Sequence, residues 1–311
     1  ESFIADAVWL GEEDIRAQRL ILERTTIGNG SFVGNSALVP QGYQLGDHML
    51  IGVLSVPPTA VQQEMNPAGD WFGSPAIALP KRQGSGDYPA SLTTTPSRAR
   101  RLARGFIEGI RIILPETVII CCSVLFIAYC HDLVKDRSLL QIAEQLPKLP
   151  FYYLFYRGLS ALLLTVLLKW IIVGVYKKEQ QPMWTYKVWR SEAITTTYEA
   201  LAVPFFLEYL KGTPFLPMAL RLMGVRIGKR VWMNTTDITE QDMVSIGDDA
   251  ALNEDCGPQT HLFEDRVMKV GPVKIGARCS IGARSIILYD SELGDEASLG
   301  PLSLVMKGEK L

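Results

Sequence analysis

The stretch IGARCSIGARSIILYDSELGDEASLG, residues 275–300, places an aliphatic side chain at every sixth position. With the next repeat, the aliphatic positions are Ile275, Ile281, Ile287, Leu293, Leu299 and Val305. An earlier run keeps the same spacing at Ile27, Val33, Val39, Leu45 and Ile51. A period of six fits neither the period of an α-helix nor the alternation of a strand. It is typical of hexapeptide repeats, and we therefore predict segments of left-handed parallel β-helix.

The two runs match each other at a constant offset, which indicates an internal duplication. Leu45-Gly46-Asp47 corresponds to Leu293-Gly294-Asp295, and glycine follows most of the aliphatic positions in both runs. We expect the aliphatic side chains to point into each coil. We expect the glycines to lie at corners where a side chain would crowd the next coil.

Length and composition limit the number of domains and the kinds of function that we expect. The 311 residues suffice for about two domains, and a net charge of −2 gives no general attraction to nucleic acid. Because the sequence begins with Glu1, we expect it to be a piece of a longer protein. The five cysteines show no CxxC spacing, so the sequence predicts no metal site.

Two apolar segments, about residues 102–129 and 151–176, lie between the two runs. Each is long enough to cross a bilayer, and the alternative is a pair of helices buried in a soluble protein. Basic residues flank the pair on both outer sides. The positive-inside rule therefore predicts an integral, multi-pass membrane protein whose soluble parts lie on the cytoplasmic face. Intramembrane charges are costly, so Glu116 and Arg157 are expected either to pair or to lie at headgroup depth.

The segments in chain order suggest five parts. Residues 1–60 would end one β-helix domain, and residues 61–100 would form a docking linker rich in proline and glycine. Residues 101–178 would form the transmembrane helix hairpin. Residues 179–224, with many aromatic side chains, would form amphipathic helices that lie at the membrane interface or cap the β-helix. Residues 225–311 would form a second β-helix domain.

The six-residue phase breaks at residues 253–269, and this break contains His261. Loops that leave a regular scaffold often carry function. A histidine oriented by a carboxylate can act as a general base near neutral pH, and Glu264 and Asp265 follow His261 closely. The equivalent position of the first run is Glu13, so only the second copy would be active. The alternative is a purely structural role for His261.

Several motifs taken together resemble one known family. They are QTHLFEDRVMK (259–269), WFGSP (71–75), LPKRQ (79–83) and GVLSVPP (52–58). With them, the chain resembles the membrane-bound C-terminal region of epsilon-poly-L-lysine synthetase-type proteins, which are nonribosomal-peptide-synthetase-like enzymes. That family has an adenylation domain and a thiolation domain. Six transmembrane helices follow, interleaved with three soluble domains that resemble hexapeptide acyltransferases.

The resemblance implies an acyltransferase that joins amino acids through an amide bond, as a peptide ligase does. A carrier (thiolation) domain of the same protein would present an aminoacyl thioester on phosphopantetheine, and a free amine would attack it. The resemblance assigns the general base to His261, and Glu264 or Asp265 is expected to orient it. No residue is assigned to cofactor binding. Sibling β-helix domains would form a pseudo-trimer, as the trimers of hexapeptide acyltransferases do.

Two other functions remain open. The β-helix could be a non-catalytic membrane scaffold that docks the carrier or helps to export the product. It could also be a free-standing acetyltransferase that takes its acyl group from coenzyme A. A His261 side chain buried among apolar residues and away from any cleft would favour the scaffold.

Overall fold

The computed structural model describes residues 2–5, 7–66, 69–79, 86–135 and 137–311. It divides into two compact units, Glu1–Gly86 and Asp87–Leu311. Residues 80–83 of the LPKRQ motif lie outside the described ranges.

The first unit is built from short strands and one short helix, α1 (Ala60–Met65). The strands are β1 (Phe3–Ile4), β2 (Trp9–Leu10), β3 (Asp14–Arg16), β4 (Arg19–Ile21), β5 (Thr26–Ile27), β6 (Phe32–Val33), β7 (Leu38–Val39), β8 (Gln44–Leu45), β9 (Leu50–Ile51), β10 (Asp70–Phe72) and β11 (Ile77–Ala78). Strands that are one coil apart pair in parallel, as Phe32 does with Leu50. This arrangement is that of a parallel β-helix.

The first unit extends beyond the boundary predicted at residue 60. Proline cannot donate to a sheet ladder, so Pro57 and Pro58 favour the end of the β segment at this boundary. Instead, the chain leaves as α1 and returns as β10, in which Trp71 pairs in parallel with Ile51. The Trp71 side chain is buried in the core of this unit. The docking linker predicted for residues 61–100 is therefore corrected, because its first part belongs to the β-helix unit.

The second unit begins with helices. The α-helices are α2 (Ala90–Thr93), α3 (Arg98–Val134), α4 (Leu139–Gln145), α5 (Leu149–Tyr153), α6 (Ser160–Leu168), α7 (Tyr186–Thr197), α8 (Val203–Phe205) and α9 (Phe215–Met223). Short 3₁₀ turns occur at Leu146–Lys148, Leu207–Leu210 and Gln241–Met243, and π-helical turns at Leu154–Leu159, Lys169–Val173 and Tyr198–Ala202. The Ser97 hydroxyl caps α3 by accepting a hydrogen bond from the Arg100 amide.

Two helical stretches of this unit, Ala90–Val134 and Leu139–Val173, are long and apolar enough to cross a membrane by length and composition. Their most apolar windows are only 6% and 28% buried. Helices in the core of a soluble protein are mostly buried, so these two stretches are more exposed than such helices. The Arg157 guanidinium lies 4.1 Å from the centre of the Phe205 ring. Among the described residues no ion pair joins Arg157 to Glu116, so the predicted pair is not formed.

The remaining strands of the second unit are β12 (Glu179–Pro182), β13 (Arg226–Ile227), β14 (Trp232–Met233), β15 (Val244–Ile246), β16 (Ala251–Leu252), β17 (Gly257–Gln259), β18 (His261–Glu264), β19 (Val267–Val270), β20 (Val273–Ile275), β21 (Ser280–Ile281), β22 (Ile286–Leu288), β23 (Ser291–Leu293), β24 (Ser298–Leu299) and β25 (Leu304–Val305). Three parallel sheets stack along this β-helix, in the orders β13-β15-β20-β23, β14-β16-β21-β24 and β17-β22-β25. Ile275 pairs with Leu293, three hexapeptides further along. The parallel β-helix is therefore confirmed.

The repeated aliphatic side chains fill the interior of each coil, as predicted. Ile281, Ile287 and Leu293 are at most 1% exposed, and burying one such side chain contributes roughly 1.5–3 kcal/mol. The glycines after them lie where neighbouring coils touch. A Cβ atom on Gly247 would lie 2.5 Å from the Ala277 amide nitrogen, closer than real Cβ contacts. The expectation of crowded corners is confirmed.

The duplication inferred from the sequence extends to the backbone. Non-glycine residues with positive φ recur at the same offset in the two units, as in the pairs Ala7 and Asp255, Ala17 and Asp265, Gln18 and Arg266, Ser36 and Arg284, His48 and Glu296, and Leu54 and Leu302. The antiparallel hairpin β3–β4 of the first unit is the counterpart of β18–β19 in the second. Both copies therefore project a hairpin from the β-helix, and the second one carries His261.

Candidate active site

His261 begins the hairpin that leaves the second β-helix after β17. In this hairpin, His261 lies opposite Val270 and Glu264 lies opposite Val267. Asp265 and Arg266 form the two-residue turn, with φ values of +49° and +62°. Such values are typical of tight hairpin turns. Strand β12 pairs with the other edge of β19, so the hairpin belongs to a three-stranded sheet.

The carboxylate beside His261 belongs to Glu240, on the preceding coil. The Nδ1 atom of His261 lies 2.7 Å from Oε2 of Glu240. The Glu240 side chain is fully buried, whereas the His261 side chain is 17% exposed. Thr260 donates a hydrogen bond of 2.7 Å to the same oxygen, and Ser191 donates one of 3.0 Å to Oε1. Both carboxylate oxygens of Glu240 are thus fixed in place.

These contacts lower the pKa of Glu240 and fix which nitrogen of His261 carries a hydrogen. Burial raises the pKa of the Glu240 carboxyl, but the charge of His261 and hydrogen bonds from His261, Thr260 and Ser191 outweigh it, so the pKa is lowered overall. An ionised carboxylate only accepts hydrogen bonds, so Nδ1 of His261 is the donor. In the neutral form of the imidazole, the Nε2 atom then carries the lone pair and is the atom that can take up a proton.

This geometry does not match the prediction that Glu264 or Asp265 orients His261. Side chains alternate along a strand, so Glu264 lies on the face of β18 opposite to that of His261. Its carboxylate lies 2.7 Å from the Lys269 ammonium and 2.7 Å from the Lys307 ammonium. Asp265 lies in the turn at the far end of the hairpin. The carboxylate that contacts His261 is therefore that of Glu240, and the predicted orientation by Glu264 is not seen.

Residues from the helical region hold the Glu240 segment. Ser191 is on α7 and its hydroxyl oxygen also lies 3.4 Å from the phenol oxygen of Tyr176. Asp242, two residues after Glu240, accepts a hydrogen bond of 2.7 Å from the Tyr176 amide. Its other oxygen is hydrogen bonded to the fully buried ammonium of Lys169, at the end of the second apolar stretch. The candidate site is thus tied directly to the apolar helices.

A cavity of about 210 Å³ reaches Thr239, the residue before Glu240, although neither Glu240 nor His261 is among its lining residues. Thr239 lines this cavity, and its hydroxyl oxygen is 3.5 Å from Nδ1 of His261. Three carboxylates, those of Glu199, Asp237 and Asp255, also line it. Burial, followed by the charges of Asp237 and Glu199, raises the pKa of Tyr198 in the cavity wall. We refer to this space as the acidic cavity.

One signal in the sequence could have revealed Glu240. The coil that carries it is one residue longer than a regular coil of three hexapeptides, because Ile227 pairs with Ile246 whereas Ile275 pairs with Leu293. The extra residue falls in the segment between Met233 and Val244, which contains Glu240. Glu240 itself adopts a left-handed backbone, with φ of +33° and ψ of +62°. Irregular backbone of this kind is concentrated at functional sites.

Comparison with known proteins agrees with the fold and with the predicted class. Residues 272–300 match the family described as the hexapeptide repeat of succinyl-transferase. Over all 311 residues the chain is 50% identical to the delta-poly-L-ornithine synthetase of Acinetobacter baumannii (strain AB307-0294). The match covers 100% of this chain and 23% of that protein, so the chain spans about a quarter of its relative's length.

The predicted resemblance to poly-amino-acid synthetase-type proteins is confirmed by this relative. Because the relative is a synthetase and the matched repeat is that of a transferase, both comparisons support the prediction that the chain is part of an enzyme. The short span of the match is consistent with a region of a larger protein.

Proposed function

We propose that this chain carries an amide-forming acyl-transfer site of a membrane-bound poly-amino-acid synthetase, with His261 as its general base. The observation that carries the proposal is the 2.7 Å contact between Nδ1 of His261 and the buried carboxylate of Glu240. A histidine held in one tautomer by a carboxylate is the arrangement that activates nucleophiles in acyl transfer.

The proposed step begins with a neutral amine of an amino acid near His261. The Nε2 atom removes a proton as the amine nitrogen attacks the carbonyl carbon of an acyl thioester. The new C–N bond forms, the C–S bond breaks, and the departing sulfur receives the proton from Nε2. The products are an amide and a free thiol. Glu240 stabilises the imidazolium that exists between the two proton transfers.

The acyl donor enters as a substrate. We propose that a carrier domain outside this chain presents it on a phosphopantetheine arm, as synthetases of the resembled class do. The relative is named for polymerised L-ornithine, an amino acid with a second, cationic amine. The acidic cavity, which reaches His261 through the Thr239 hydroxyl, suits such an acceptor, because its carboxylates attract and orient ammonium groups. The substrate class that we propose is therefore a diamino acid.

We also propose that the helical stretches Ala90–Val134 and Leu139–Val173 cross the membrane. Their length, their apolar composition and their exposure support this arrangement. The Lys169–Asp242 contact would then fix the catalytic coil at the membrane boundary. Basic residues on the outer flanks of the pair favour a cytoplasmic position for the site.

The test replaces His261 with alanine in the protein that contains this chain. Amide products are measured by mass spectrometry, and loading of the carrier with the amino acid is measured separately. We expect normal loading and a loss of amide of roughly 10²–10⁴-fold, which is the usual contribution of a general base. The matched control is His131→Ala, because His131 is exposed at the tip of the helix hairpin. Unchanged amide formation in His261→Ala would support the scaffold function instead.

A further inference from the structure

A second cavity lies where the apolar helices end, apart from the acidic cavity. Its volume is about 310 Å³. Val173, the last residue of the second apolar stretch, lines it together with Val175 and Lys177 of the segment that follows. The opposite wall comes from α7 and contains Lys187 and Arg190. We refer to this space as the basic cavity.

The charges around the basic cavity do not balance. Three cationic side chains line it, and Glu179 is its one acidic lining residue among the described part of the chain. Lys187 uses that carboxylate, with 2.6 Å between Nζ and Oε2. Within the described ranges, neither Lys177 nor Arg190 lies in an ion pair. Two positive charges therefore face the cavity without a carboxylate partner, as in sites that bind anions.

The geometry of Arg190 prepares it for an oxyanion ligand. One of its terminal nitrogens donates a hydrogen bond of 3.2 Å to the carbonyl of Ile172, in the last turn of the apolar stretch. This bond fixes the guanidinium at the helix end, where the helix dipole also favours a cation. The guanidinium has five N–H donors in a planar fork that matches the oxygens of a phosphate group.

The other part of the cavity wall is apolar. Val173, Val175, Met268 and Val270 line it, and Val175 is exposed. A cationic mouth beside an apolar wall, at the end of a helix that is proposed to cross the membrane, suits an amphiphile with an anionic head. Clusters of lysine and arginine at this depth attract anionic lipids.

From these observations we propose that the basic cavity binds a phosphate group, held by Lys177 and Arg190, and that the group belongs to an anionic phospholipid. The apolar wall favours a lipid as the source over free phosphate. The cavity also contacts the candidate active site, because Ser191 and Tyr176 line it and Ser191 donates to Glu240. A bound headgroup would therefore lie next to the residues that position the His261–Glu240 pair.

This inference rests on the proposed membrane placement but not on the role of His261. Lipid binding can be absent while His261→Ala still abolishes amide formation. Conversely, lipid can bind while His261→Ala leaves amide formation unchanged. The lipid site and the role of His261 therefore stand or fall separately.

The test measures lipid binding to the full chain in detergent by native mass spectrometry. The ligands are phosphatidylglycerol, zwitterionic phosphatidylcholine and inorganic phosphate, and the variant is Lys177→Gln with Arg190→Gln. The matched control is Arg226→Gln with Lys229→Gln, which removes the same two charge types from an exposed part of the β-helix. Both pairs are exposed, so both variants are expected to fold, and their unfolding temperatures verify this.

We expect phosphatidylglycerol to bind at least tenfold more weakly to the Lys177/Arg190 variant than to the control variant. Phosphatidylcholine should bind weakly to all forms. If inorganic phosphate alone binds in a manner that depends on Lys177 and Arg190, the phosphate site stands and its assignment to a lipid is overturned. If phosphatidylglycerol and phosphate bind equally to both variants, the site itself is overturned.

Discussion

The Nδ1 atom of His261 and the Oε2 atom of Glu240 lie 2.7 Å apart, although the two residues belong to successive coils of the β-helix. Glu240 is fully buried and holds two further hydrogen bonds, from Thr260 and Ser191. A buried carboxylate at this distance fixes both the tautomer and the direction of the imidazole.

Glu240→Gln is expected to lower the rate of amide formation by roughly 10²–10⁴-fold, the range attributed to general-base catalysis. The amide keeps the shape of the carboxylate but cannot stabilise the imidazolium. The measurement is the single-turnover rate from a loaded carrier. Asp265→Asn serves as the control, because Asp265 lies in the turn of the hairpin. Equal losses in the two variants would contradict the assignment of the orienting role to Glu240.

Asp237→Asn is expected to weaken binding of the amine acceptor. Asp237 lines the acidic cavity beside Thr239, and loss of its charge should raise the KM for a diamino acid by about tenfold, which corresponds to about 1.4 kcal/mol. The kcat should change much less. The control is Asp249→Asn, because Asp249 pairs with Arg230 at an exposed corner. A KM that is unaltered by Asp237→Asn would argue against the acidic cavity as the acceptor site.

The hexapeptide spacing was sufficient to predict both β-helices, because each repeated aliphatic side chain has one interior to fill. The spacing did not predict where the first unit ends. Pro57 and Pro58 do interrupt the ladder, but the chain returns after α1 and adds Trp71 to the same sheet. A local signal for strand termination carries no information about a later strand that rejoins the sheet.

The site was only partly predictable, for a related reason. His261 stood out because it lies where the six-residue phase breaks. Its partner Glu240 is distant in sequence and is brought close only by the stacking of coils. The nearby Glu264 was a poor choice because His261 and Glu264 lie on opposite faces of one strand. Knowing in advance that residues 261–264 form a strand would have excluded Glu264.

Glu264→Gln is expected to destabilise the second unit in a pH-dependent manner. Burial raises the pKa of Glu264, but hydrogen bonds and charges from Lys269 and Lys307 lower it overall, below its ordinary value of 4.5. A lowered folded-state pKa contributes stability above about pH 4.5, and this contribution is lost as the pH falls through the folded-state value. Removing the carboxylate also leaves a buried ammonium without its partner, at a cost of about 3 kcal/mol.

The measurement for Glu264→Gln is the unfolding temperature in detergent at pH 7 and at pH 3. The difference between parent and variant should be large at pH 7 and should shrink at pH 3. Glu292→Gln is the control, since Glu292 forms exposed ion pairs with Lys274 and Lys310. A difference that stays constant with pH would contradict the charged state assigned to Glu264.

Asp242→Asn is expected to destabilise the second unit by about 3 kcal/mol, because it leaves the fully buried Lys169 without a charged partner. Adding Lys169→Met should restore most of the lost stability, since the pair is then replaced by neutral groups. Unfolding temperatures of the single and double variants test this. The control is Glu208→Gln, because Glu208 is exposed and its partner Lys211 also pairs with Asp255. A double variant no more stable than Asp242→Asn would contradict the pairing.

The most direct test of the central claim is a double-mutant cycle on single-turnover amide formation, with His261→Ala, Glu240→Gln and the combined variant. Carrier loading is verified in each form. If Glu240 acts through His261, His261→Ala should lose roughly 10²–10⁴-fold, and the combined variant should lose no more than His261→Ala alone. A His261→Ala rate within twofold of the parent, on a fully loaded carrier, would contradict the account.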